Sequence, residues 1–412
     1  MRAYTTNMET KRLLSIDIFR GLTVILMTIV NNPGDWEHIY APLEHAEWHG
    51  YTLTDLVFPS FLFIVGISTV LAKPSEDQLL KICKRALRIF LLGLSLSFFS
   101  KIHAGDFTLV VRLIAMAAAT VAFLGDYDLR RQFWIAVIAF VLLIGLCFSG
   151  LADFENVRIP GVLQRIAVVY LLLSLLHAYT SLRFQIAVFF ASLVGYWALM
   201  NFVDVPGVGL ANLEVNKNLA AWVDNYLLEG HLWASSKTWD PEGILSTLPA
   251  LATGLAGLFA GRYLQSSPKA SVLFAAGAIA LVAGTIWGWY FPINKALWTS
   301  SYVLVAAGWD LLLLAVLQAT IQSTIQSDHY WKPVLIFGMN PMVVFFFSGL
   351  IPRVLGMVKI GDQGLTSWIY SQGIEPLFAD KINASLAGAL IYVLIWAGIL
   401  SFFDWQKRYY KV

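Results

Sequence analysis

Apolar runs near 13–31, 52–72, 86–101, 108–125, 133–150, 161–179, 184–202, 243–261, 271–290, 300–322, 333–353 and 384–403 dominate this chain. Most approach the roughly 20 residues that a helix needs to cross a bilayer. The third is short and the eleventh is broken by Pro341. The expected fold is therefore all-α: a polytopic membrane protein of about 12 transmembrane helices (about 10 to 12), forming one transmembrane domain over residues 1–412. A content of 58% hydrophobic and 13% charged residues excludes an ordinary soluble domain.

An even number of spans puts both termini on one side. The segments on the Met1 side hold roughly twice as many Lys and Arg as the opposite loops, and positive charge is retained on the cytoplasmic side. Both termini are thus expected in the cytoplasm, with His45 on the other face. A net charge of +2 gives no reason to expect nucleic acid. Cys83 and Cys147 lie at or in spans, so no disulfide framework is expected. The first run is too long for a signal peptide and ends in Val30-Asn31-Asn32-Pro33 without a small-residue cleavage site.

Segments 203–242 and 354–383 are expected to be extracytoplasmic loops with interfacial helices. In the first, Leu213, Leu219, Trp222, Val223, Tyr226 and Leu227 fit one helix face, with Asn216, Lys217, Asp224 and Asn225 at polar positions. In the second, Trp368, Tyr370 and Phe378 suit the headgroup level.

Ionisable residues inside such runs are costly and mark function by default. Asp17 and Arg20 are spaced i, i+3, where they can pair and fix helix packing. Arg20 also suits a phosphorylated ligand entering from the cytoplasm, because guanidinium recognises phosphate bidentately. Asn31 lies eleven residues further on, roughly 16 Å across the membrane; it is read as a helix-end residue whose case for chemistry rests on nearby His45. His45 is followed by Trp48, His49 and Gly50 on a short loop. His45 and His49 have an i, i+4 spacing, but no convincing third ligand accompanies them and Pro42 interrupts a helix, so no metal site is expected. Asp55, three residues after Thr52, reads as a capping-box residue. Asp240, before Pro241, reads as the N-cap of the span that follows. Glu242 favours the same helix end or faces a sugar or amine. Arg165 needs a carbonyl or a carboxylate such as Glu242; either it or Lys295, in Pro292-Ile293-Asn294-Lys295, is also a candidate for a polar substrate.

The blocks Leu14-Ser15-Ile16-Asp17-Ile18-Phe19-Arg20-Gly21, Asn31, His45-Ala46 with Trp48 and Gly50, and Asp55-Leu56-Val57-Phe58-Pro59 resemble the transmembrane heparan-α-glucosaminide N-acetyltransferase family and its bacterial relatives. The resemblance continues, in family order, through Arg158-Ile159-Pro160-Gly161-Val162-Leu163-Gln164-Arg165, Asp240-Pro241-Glu242-Gly243-Ile244-Leu245, Pro292-Ile293-Asn294-Lys295 with Leu297-Trp298, and Gly338-Met339-Asn340. Two departures from the family pattern are expected: the large N-terminal luminal domain and first helix of the lysosomal enzymes are lacking, and the pair of spans near 108–150 looks inserted.

The resemblance implies a multi-pass enzyme of the bacterial inner membrane, working as a homodimer in the lipid bilayer. It would move acetyl from cytoplasmic acetyl-CoA to the amine of a glucosamine-type sugar on the periplasmic side, with no metal. His45 is then the catalytic base and Asn31 the donor to the oxyanion. Arg20 and Arg165 hold CoA, while Trp48, Glu242, Asn294 and Lys295 face the acceptor sugar; Asp17, Asp55 and Asp240 are structural or capping. Direct transfer is preferred to an acetyl-histidine intermediate, because an acyl-imidazole at an aqueous face hydrolyses readily. The alternatives are an O-acyltransferase of envelope glycans or lipids, and a secondary transporter lined by Asp17, Arg20 and Arg165.

Overall fold

The structure is a computed structural model and describes residues 8–72, 76–125, 127–150, 154–266, 268–323 and 328–409. It is mostly helical: α1 (Met8–Asn31), α2 (Leu53–Leu71), α3 (Gln78–Phe99), α4 (Thr108–Leu124), α5 (Leu129–Cys147), α6 (Val162–Tyr179), α7 (Leu182–Phe202), α8 (Leu219–Leu228), α9 (Thr247–Gln265), α10 (Ala270–Gly288), α11 (Ser300–Ser323), α12 (Asp328–Met339), α13 (Pro341–Met357), α14 (Leu365–Ile369) and α15 (Lys381–Trp405). A two-residue antiparallel pair, β1 (Lys359–Ile360) with β2 (Gln363–Gly364), is the small addition to the all-α expectation.

Among the described residues nine helices are long and apolar enough to cross a membrane, and α12 with α13 forms an apolar pair bent by 74°, the geometry of a broken span or a re-entrant loop. The break falls at Asn340, next to the Pro341 that marked it in the sequence, because proline cannot supply the N–H that a continuous helix needs. The helices α3 and α9 stand outside this set. Helix α3 begins at Gln78, well before the apolar run that signalled it, and its first half carries Lys81, Lys84, Arg85 and Arg88. Those basic residues lower hydropathy without ending the helix. The other exception, α9, is rich in Gly and Ala and packs at the centre of the bundle.

Close backbone approach, rather than bulky interdigitation, joins α9 to α2. A Cβ on Gly257 would sit 1.9 Å from the Phe63 carbonyl oxygen, so that position accepts nothing larger than glycine. Aromatic and aliphatic side chains fill the remaining core: Phe58, Leu62, Trp298, Tyr302 and Phe346 on one side, and Ile18, Phe19, Phe63 and Leu314 on the other.

The stretch expected to hold a longer interfacial helix holds only the ten residues of α8. Its buried face is Leu219, Ala220, Ala221 and Asp224, whereas Tyr226 and Leu227 are exposed. Asp224 therefore points inward, contrary to its expected polar position, because it binds the loop that leads into α9.

Candidate active site

The catalytic candidate His45 sits on a loop that three hydrogen bonds tie to the rest of the fold. Gly50 N donates to Ile293 O at 2.7 Å, Trp48 Nε1 donates to Leu213 O at 3.0 Å, and the Thr52 hydroxyl donates to Glu44 O at 2.5 Å. Gly50 has φ +99°, which only glycine adopts readily, so the chain can turn there into the strand-like contact with Asn294.

Asp55 opens α2 and performs the capping role read from the sequence: Thr52 and Asp55 form a reciprocal capping box. It also does something the sequence reading did not assign. Its Oδ1 lies 2.6 Å from His45 Nδ1, while Oδ2 accepts the Ala46 and Thr52 backbone N–H groups, each at 3.0 Å. A carboxylate in this setting accepts, so His45 Nδ1 carries the hydrogen and Nε2 keeps its lone pair. The Asp55 side chain is 1% exposed and that of His45 55%, so a buried carboxylate orients an accessible imidazole. Tyr302 on α11 fixes the same turn by donating to Asp55 O at 2.5 Å.

A second network stands close by. Arg158 binds Asp240 through two hydrogen bonds, of 2.8 and 2.6 Å, and also binds Glu242. Asp240 does not cap α9, which begins at Thr247 after Ser246; the Asp-Pro-Glu-Gly segment is a loop held by a distant arginine. Burial alone would raise the Glu242 carboxyl, but the charges of Arg158, Lys295 and Arg165 hold it below its ordinary value. For Asp240 burial outweighs Arg158, and its carboxyl is pushed up. Asp224 accepts the backbone N–H groups of Asp240 at 3.2 Å and Ile244 at 2.8 Å, and burial pushes its carboxyl up to about 6. A Cβ at Gly243 would lie 2.0 Å from Asp224 Oδ2, so the loop needs glycine at that point.

Arg165 is fully buried in α6 beneath this loop. Its Nη2 donates to Gly243 O at 2.8 Å and to the Ser246 hydroxyl, and its guanidinium lies 5.2 Å over the Trp298 ring. The carbonyl partner expected for it is present. Lys295 lies within electrostatic reach of both Asp55 and Glu242, which draws the two networks into one site. Asn294 is buried; it donates to His49 Nδ1 at 3.3 Å and accepts from Leu297 N at 2.8 Å. Burial lowers the His49 imidazole, favouring its neutral form. Trp48 packs edge-on against Trp239, with ring centroids 5.3 Å apart. The three histidines of this region have separate partners, Asp35 for His38, Asp55 for His45 and Asn294 for His49.

Arg20 lies at the opposite end of α2. It donates to Asp17 at 2.9 Å and to Gly338 O at 3.0 Å, and its Nη2 is 3.4 Å from the Ser68 hydroxyl. Arg85, stacked 4.9 Å over the Tyr170 ring, stands within electrostatic reach of it. Arg165 binds the loop before α9 at the His45 end, so the two arginines paired in the sequence reading are separated by the bundle. Asn31 is the exposed last residue of α1, and its side chain makes no hydrogen bond to another described residue. The sequence reading missed Arg158, Asp224, Tyr302 and Arg85 as site residues. Only Arg158 carried a signal, since it opens the Arg-Ile-Pro-Gly block.

The catalytic-domain model of heparan-alpha-glucosaminide N-acetyltransferase matches residues 12–286, which contain the His45–Asp55 pair and the Arg158 network. The chain belongs to this family. Heparan-alpha-glucosaminide N-acetyltransferase of Mus musculus is 25% identical over 395 residues, covering 83% of this chain and 54% of that one. The Homo sapiens protein of the same name is 26% identical over 388 residues, covering 81% and 52%. The chain spans about half the length of these curated relatives. Together with its long apolar helices, membership makes it a multi-pass membrane protein of this family.

Proposed function

We propose that this protein transfers acetyl from cytoplasmic acetyl-CoA to the amine of a small glucosamine-type sugar on the periplasmic side of a bacterial inner membrane. In this reading both termini lie in the cytoplasm and the working unit is a homodimer. The observation that carries the reading is the His45–Asp55 pair: an accessible imidazole, its tautomer set by a buried carboxylate at 2.6 Å. This is the arrangement that general-base acyl transfer requires.

The neutral amine attacks the thioester carbonyl carbon. Its proton passes to His45 Nε2 as the C–N bond forms; the C–S bond then breaks, and the sulfur leaves as a thiol by taking that proton from the imidazolium. Asn31 donates to the oxyanion. Glu242, kept ionised by its cationic neighbours, attracts the amine, with Lys295, Asn294 and Trp48 around the sugar. Arg20, reinforced by Arg85, suits the phosphates of CoA. Arg165 is reassigned from the nucleotide to the acceptor side, where it holds the Gly243 turn. Direct transfer is retained over an acetyl-histidine.

The test is acetyl-CoA turnover by the purified chain with glucosamine or N-acetylglucosamine as acceptor. Turnover with glucosamine that is absent with N-acetylglucosamine, and lost in His45→Ala, is expected. Equal turnover with both sugars would instead favour hydroxyl acylation.

A further inference from the structure

Between the two ends of α2 lies a buried acid that the mechanism leaves unused. Asp310, ten residues into α11, is 3% exposed, and among the described residues its one hydrogen-bond partner is Ser60 of α2 at 2.5 Å. Among the described residues Oδ2 has no partner, and no Lys, Arg or His pairs with the acid.

The hydrogens at Ser60 decide the state of this acid. The Ser60 hydroxyl donates to Leu56 O at 2.8 Å, the usual back-bond of a helical serine. Its single hydrogen serves one of the two acceptors, and with the back-bond kept the short contact takes its hydrogen from the acid. A neutral carboxyl is also what hydrocarbon surroundings favour, since an isolated carboxylate there is prohibitively costly. Oδ2 is then a carbonyl-like acceptor.

The level of this acceptor is informative. Ser60 lies five residues beyond Asp55 and eight before Ser68, or about 7.5 and about 12 Å along α2 at 1.5 Å per residue. Asp55 orients His45 and Ser68 meets Arg20, so the free acceptor falls between the level of the acyl-transfer site and that of the phosphate site. The stretch of acetyl-CoA joining thioester to phosphates carries amide N–H groups, and these need acceptors inside a membrane.

We propose that Asp310, as a neutral acid held by Ser60, binds the amide-bearing arm of acetyl-CoA by accepting one of its N–H groups at Oδ2. The inference rests on the donor route proposed above.

The test measures equilibrium binding of acetyl-CoA and of 3′-phospho-ADP, which lacks the arm, to the full chain in lipid nanodiscs. Asp310→Leu is expected to weaken acetyl-CoA about tenfold, as loss of one buried hydrogen bond implies, and to leave 3′-phospho-ADP unchanged. Asp310→Asn offers an N–H to Ser60 and a free oxygen to the arm, and is expected to bind acetyl-CoA within about threefold of wild type, a difference under 1 kcal/mol. Unchanged acetyl-CoA binding in Asp310→Leu, equal weakening of both ligands, or loss of acetyl-CoA binding in Asp310→Asn would each overturn the proposal. Wild-type protein that binds acetyl-CoA yet acetylates no amino sugar, with the variants behaving as expected, would sink the proposed function and leave this site standing.

Discussion

The two ends of α2 are built on different plans. At the His45 end, Asp55, Arg158, Asp224, Asp240 and Glu242 are locked by hydrogen bonds to each other and to loop backbone, and three ties hold the histidine loop in place. At the Arg20 end, among the described residues, Arg20 meets one carboxylate, one backbone carbonyl and, at longer range, a serine. Rigid placement to within a fraction of an ångström is what bond-making needs, whereas holding a flexible polyanion needs charge more than precision. The contrast fits the proposed function, with chemistry at one end and donor binding at the other.

That division has kinetic consequences. Asp55→Asn preserves shape but no longer demands a hydrogen on His45 Nδ1, so kcat should fall by about two orders of magnitude, within the range for general-base loss, while KM for acetyl-CoA changes little. Arg20→Ala should do the reverse, raising KM for acetyl-CoA about tenfold, the weight of one charge-assisted contact, with kcat nearly intact. Steady-state kinetics on the two variants checks this. A kcat defect in Arg20→Ala as large as that in Asp55→Asn would break the comparison.

A smaller effect sharpens it. Burial pushes the Asp224 carboxyl up to about 6, from the ordinary 3.8. The folded protein therefore binds this proton more tightly than the unfolded chain does. The resulting stability is fully present below about pH 4 and is lost as pH rises through about 6, a change of about 3 kcal/mol at 1.36 kcal/mol per pKa unit. Thermal unfolding of wild type and Asp224→Asn between those values should show a decline in wild type that the variant lacks. Parallel pH curves would remove Asp224 from the scaffold of the His45 end.

Much of the fold was legible because each span announces itself locally as an apolar run, and Pro341 marked the break. Helix α3 was truncated in the reading because Lys81, Lys84, Arg85 and Arg88 interrupt hydropathy while leaving the helix intact. The site was legible where its logic is short-range. Thr52 and Asp55 form the capping box that their spacing signals, and His45 is near enough in sequence to be drawn to them. Asp240 misled because Asp-Pro-Glu-Gly has the chemistry of a helix start, while its actual partner, Arg158, lies 82 residues away. Asp310 stood visibly inside an apolar run, but its meaning depends on Ser60, 250 residues distant. Long-range pairing of this kind leaves no local mark.

The central claim, that binding and chemistry occupy opposite faces, is tested most directly in sealed vesicles holding the protein in a known orientation. With acetyl-CoA confined to the compartment that Arg20 faces and glucosamine to the one that His45 faces, N-acetylglucosamine should accumulate on the His45 side and free CoA on the Arg20 side. Product that forms only when donor and acceptor share one compartment would contradict the account.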